Sequence, residues 1–233
     1  MEVSDSMSSV LITESTEQTA AWTRGSGYDM QPGVLTLALI SIAGLVGYLG
    51  LFVALHRLPT GYSPVRHAVS DYAVGDSKPL FGKALLLSSL AVLALALGLT
   101  WEPGAPPLAT SSLVFLYLVP AMRVGMILFP TDLEGEKLTP TGRLHYLFAI
   151  AAFGFTYAAI SGMTSDLTRL SPWQSAHVLL DVLQWVCLVS LVLLVVTLLP
   201  RLRSIFGLFE RAFLVSTNLW LLTVGVCLAV KAA

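Results

Sequence analysis

Six stretches of about twenty apolar residues, each bounded by charges or turn residues, constrain this chain more than anything else in it. A hydrocarbon core of roughly 30 Å takes about 20 helical residues to cross, and a helix satisfies its own backbone hydrogen bonds on the way. The pattern predicts an all-α, polytopic membrane protein with spans at Val34–Leu55, Leu80–Leu99, Leu108–Phe129, Leu144–Met163, Ala176–Leu199 and Leu208–Val230. Of the 233 residues 55% are hydrophobic and 12% charged, which leaves only short connections outside the spans. Residues 1–33, rich in Ser, Thr and Glu, are expected to be a disordered extracytoplasmic tail, with residues 34–233 forming one six-helix bundle. No basic segment leads into an apolar one there, so a signal peptide is not expected.

Positive loops are retained in the cytoplasm during insertion, so the Lys and Arg count predicts orientation. The odd-numbered connections and the first turns that follow them carry Arg57, Arg66, Lys78, Lys83, Lys137, Arg143, Arg201, Arg203 and Arg211. The opposite side carries Arg24, Arg169 and Lys231. Nine against three predicts cytoplasmic odd connections and both termini outside, in a plasma or inner membrane. The net charge of −1 and the scattering of basic residues argue against a nucleic-acid partner. Cys187 and Cys227 fall within apolar spans and read as small hydrophobes.

A polar side chain at membrane depth costs at least ~2.5 kcal/mol on insertion scales, so each one calls for a partner or a function. Arg123 follows Pro120 in the third span and lies roughly 20 Å from its outer end, where snorkelling competes with a buried role. In the fifth span His177, Asp181 and Gln184 stand at i, i+4 and i+7, on one helical face. Asp181, about 12 Å beyond the interface-suited Trp173, is expected to face the bundle interior. There it would bond His177, Gln184 or Asn218, or form a second polar site open to the outside.

The cytoplasmic rim carries the strongest pointer to a site. The first connection, HRLPTGYSPVRHAVSDYAVGDSKP, contains Arg66, His67, Ser70 and Asp71, and its length and aromaticity predict a folded segment that buries Tyr62, Val65, Val69 and Tyr72. A short helix beginning at Pro64 would put His67 and Asp71 on one face. The third connection adds Asp132, Glu134, Glu136 and His145, and the sixth span opens on Glu210 and Arg211. Ser70, Asp71, Arg123, Asp132, His145 and Arg211 are expected to form one polar cluster, with Arg66 and Glu210 beside it as ligand-binding candidates.

At these residues the chain resembles the domain-of-unknown-function 998 family of six-span membrane proteins, itself distantly similar to the FGF-receptor-activating-protein/Sfk-type family. The carriers are GYSPVRHAVSDYAVG at 61–75, FPTD at 129–132, GRLH at 142–145 and GLFERAFLVSTNLW at 207–220. Four motifs in order cover most of residues 34–230, and Tyr62, Ser63, Ser70, Asp71, Asp132, His145, Glu210 and Arg211 are the matched polar positions. The resemblance implies fold and topology; the family has no established reaction, and its distant relatives suggest lipid-associated roles by analogy.

Two functions fit these residues. One is binding or handling of a lipid or small amphiphile, or service as a subunit of a membrane complex, with Arg66, Arg123 and Arg211 holding a phosphate. The partners are then membrane lipids or another membrane protein. The alternative is a metal-assisted intramembrane hydrolase or transferase with His67, Asp71 and His145 as ligands, although no HExxH signature is present. Haem ligation by histidines 56, 67, 145 and 177 has less support, since three are placed on one side and His177 on the other. Walker, GxSxG and GxGxxG motifs are absent.

Overall fold

A computed structural model describes residues 32–105, 107–133 and 137–233. The expected tail, up to residue 31, and the acidic pair Glu134 and Glu136 lie outside the described residues. Six helices among the described residues are long and apolar enough to cross a membrane. They are α1 (Pro32–Leu55), α2 (Lys78–Trp101), α3 (Thr110–Leu128), α4 (Pro140–Leu167), α5 (His177–Val196) and α6 (Phe206–Ala232). No strand occurs among the described residues.

Helix boundaries follow local chemistry where hydropathy does not. Pro140 sits in the first turn of α4, where its missing N–H costs nothing, and the Thr139 side chain accepts from Gly142 N at 3.1 Å. The helix therefore begins four residues before the expected span, and its 28 residues make it the longest of the six. Pro120 is accommodated inside α3, which continues to Leu128.

Lipid offers no hydrophobic drive between helices, so close packing has to supply the attraction. A Cβ on Gly44 of α1 would come within 2.7 Å of the Ala91 Cβ of α2, and one on Gly47 within 2.7 Å of Leu87 Cδ2. These two glycines of the three-residue series thus set the α1–α2 approach, while Gly50 faces open space. Trp220 of α6 donates its indole N–H to Thr164 Oγ1 of α4 at 3.2 Å. Trp173, at the turn before α5, donates to the Val224 carbonyl of α6 at 3.4 Å and is fully buried. It is a core residue and not the interfacial anchor its position suggests.

The first connection folds as expected in outline. One turn over Ser63–His67 leads into the 3-10 helix Val69–Ala73, followed by a second over Gly75–Ser77. Val69 and Tyr72 are buried and Tyr62 half-buried, but Val65 is exposed. This segment packs on the start of α6. Leu208 N donates to Val65 O at 3.1 Å, and a Cβ on Gly207 would collide with the His67 carbonyl and stand 2.9 Å from that of Pro64. Only glycine lets α6 come this close.

Candidate functional site

The docked first connection closes one end of the bundle over a small polar cavity. Ser70 of the connection, Tyr48 of α1, Ser88 of α2, Arg123 of α3, Thr156 of α4 and Glu210 of α6 line it, with Phe81, Met126 and Phe153 among its apolar walls. Its volume is about 40 Å³, room for two or three waters at roughly 15 Å³ each.

Arg123 is the centre of this cavity. Its side chain is 92% buried, so it does not snorkel, and Nη1 donates to Ser88 Oγ at 2.6 Å. A buried guanidinium beside a space large enough for water is a ready receptor for an anionic oxygen.

Behind Phe81 and Met126, which line both spaces, lies a groove of about 520 Å³ between the start of α2 and the end of α3. Gly82, Leu86, Val124 and Ile127 give it an apolar floor, and the exposed Lys78 and Lys83 stand at its edge.

Around the cavity, α6 holds the first connection through two charged side chains. Glu210 Oε2 accepts from Val69 N at 2.5 Å. Arg211 donates from Nη1 to the His67 carbonyl at 2.7 Å and from Nε to His56 Nε2 at 2.6 Å. His56 Nδ1 lies 2.7 Å from the Phe52 carbonyl, so the ring must carry its proton on Nδ1 and accept on Nε2. Burial, and then Arg211, hold its pKa below the usual histidine value against the pull of the Phe52 carbonyl. Asp71 is buried beside this clamp, and its carboxylate adds to burial in raising the Tyr62 hydroxyl pKa.

The expected cluster is distributed over distinct surroundings. Ser70, Arg123 and Glu210 share the cavity, and Arg211 lies in the clamp. Arg66 is exposed on the rim. Asp132 accepts from Thr139 N at 2.7 Å and from Thr139 Oγ1, tying the third connection to the first turn of α4. His145 is buried and bonds the Phe129 carbonyl at 2.8 Å through Nδ1, while its Nε2 has no hydrogen-bond partner among the described residues. His67 uses Nδ1 to accept from Ser63 N at 2.9 Å. Among the described residues no three His, Cys, Asp or Glu side chains are gathered closely enough to hold a metal, the set His67, Asp71 and His145 included.

The second polar site is corrected. His177, Asp181 and Gln184 do share a face, but it is the outer one: His177 and Asp181 are exposed and Gln184 half-buried. Leu180, Leu183, Cys187, Ser190 and Leu194 form the inner face instead. Asp181 has no hydrogen bond or ion pair among the described residues, and Asn218 donates to the Leu214 carbonyl of its own helix. Tyr48, Ser88, Thr156 and the accepting role of His56 went unread in the sequence. Single hydroxyls inside apolar runs carry no signal until Arg123 is seen beside them.

The fold and the buried polar centre define an all-α, multi-pass membrane protein. The chain belongs to the family described as Protein of unknown function (DUF998), which it matches over residues 41–227. No curated protein and no solved structure matches it.

Proposed function

We propose that this protein binds an anionic lipid or similar amphiphile in the groove between α2 and α3, without chemistry on it. The observation that carries this reading is the groove of about 520 Å³, with two exposed lysines at its edge and the buried Arg123 behind its wall. The apolar floor suits an acyl chain, and Lys78 and Lys83 suit the phosphate. Met126, unbranched and flexible, forms part of the wall towards Arg123, so its rotation would join groove to cavity and bring a polar head to the guanidinium. The nine-to-three charge bias supports a cytoplasmic position for this end of the bundle and its two lysines.

The test is retention of phosphatidylglycerol against phosphatidylcholine in native mass spectrometry and thermal-shift titration. Lys78→Gln with Lys83→Gln should weaken anionic-lipid binding about thirtyfold, at ~1 kcal/mol per cation. Arg123→Gln should remove any headgroup preference that remains. Equal retention of both lipids by the unmodified protein overturns the reading.

A further inference from the structure

The cavity around Arg123 holds both signs of charge. The guanidinium lines it from α3 and the carboxylate of Glu210 from α6, and both side chains are buried. Arg123 is bonded to Ser88 and Glu210 to the Val69 amide, so each is fixed in place. Tyr48, Ser70, Ser88 and Thr156 add hydroxyl groups to the lining, which suits an oxygen-bearing head. Such a head has to accept from the cation without setting a second fixed negative charge beside Glu210.

Size and charge choose among the heads in the same direction. A volume of about 40 Å³ holds two or three waters at roughly 15 Å³ each. The two oxygens of a carboxyl group replace two of them, whereas a phosphodiester brings four oxygens with glycerol behind them. A phosphodiester also keeps its negative charge at neutral pH, while a carboxyl group can arrive with its proton. Protonated, it is at once a donor and an acceptor, which answers Glu210 and Arg123 together and leaves the charge of the cavity as it was. Phe81 and Met126 form the wall common to cavity and groove, so a chain trailing from that head lies in the groove. The groove's volume of about 520 Å³ falls within the roughly 300–1,000 Å³ of pockets that bury one small ligand, which suits a single acyl chain.

We propose that the amphiphile whose head reaches Arg123 is a long-chain carboxylic acid, with its chain in the groove between α2 and α3, its carbonyl oxygen accepting from Arg123 and its O–H donating to the Glu210 carboxylate. The proton can sit on either carboxyl, so a ligand carboxylate facing Arg123 with Glu210 protonated is the same complex. The inference rests on the groove reading and narrows it. Lys78 and Lys83 at the edge attract any anionic head, whereas the cavity admits one that is small and brings a proton.

The experiment uses the full chain in phosphatidylcholine nanodiscs, with palmitate and methyl palmitate as probes read by native mass spectrometry. It is run on the Lys78→Gln, Lys83→Gln protein, so that attraction at the groove edge does not favour the acid. Palmitate should be held about tenfold or more tightly than the ester, which has no proton to share with Glu210. Adding Arg123→Gln should weaken palmitate by about tenfold or more. Solid-state NMR of palmitate labelled at its carboxyl carbon gives a readout on the unmodified protein that needs no variant: a signal distinct from that of palmitate in the bilayer is expected. Equal binding of acid and ester, unchanged palmitate binding in the folded Arg123→Gln variant, or a bilayer-like carboxyl signal overturns the proposal. If the unmodified protein prefers phosphatidylglycerol to phosphatidylcholine but does not retain palmitate, the carboxylic acid alone is wrong; if it does neither, the groove reading falls with it.

Discussion

His56 shows how one proton can decide the state of the clamp. Its Nε2 lone pair receives the Arg211 Nε–H, so the bond exists only while the ring is neutral. Protonation would set two cations face to face, with the Tyr72 ring 5.5 Å from the imidazole. The folded pKa is lowered, so the unfolded chain takes up the proton first. The stabilisation is therefore full above the unfolded value of about 6.5 and is lost as pH falls through the window below it. Thermal melting from pH 8 to pH 5 should show this loss, and His56→Gln, which cannot charge, should flatten the profile.

Among the elements, the first connection and α6 are coupled most tightly. Gly207→Ala would push a methyl group against two backbone carbonyls that have no flexible end to swing away. It should cost about 1–3 kcal/mol, and the amide of Val69, held by Glu210, should exchange faster with deuterium. A Val69 amide as protected as in the wild type would count against the coupling. The six helices were legible because apolar length is a strong signal. Their rotations were not. In α5 both faces are apolar, so nothing in the run says that Leu180 turns inward and Val182 outward. The cost of charge at membrane depth pointed Asp181 inward, but it lies on the exposed face of α5. Trp173 misled for a related reason, because an indole near a span end satisfies its N–H equally well at an interface or on the Val224 carbonyl. At the rim, the polar residues of the four motifs were picked out from sequence, but the clamp of Glu210 and Arg211 on the first connection depends on contacts across more than a hundred residues.

For the whole molecule, the charge bias predicts an orientation that can be checked directly. A cysteine at Lys137 or Arg201 should stay unlabelled by an impermeant maleimide in intact cells and react after permeabilisation, whereas one at Gly104 should react in both. The bond from Val69 to Glu210 spans 141 residues, and it has a consequence for synthesis. At 5–20 residues per second, the first connection leaves the ribosome roughly ten seconds or more before the helix that anchors it exists. Throughout that interval the Val69 amide and the mouth above Arg123 wait for the last helix to arrive. A nascent chain interrupted before residue 207 would carry five inserted helices and an undocked first connection, a ready mark by which cellular quality control could tell an unfinished copy from a finished one.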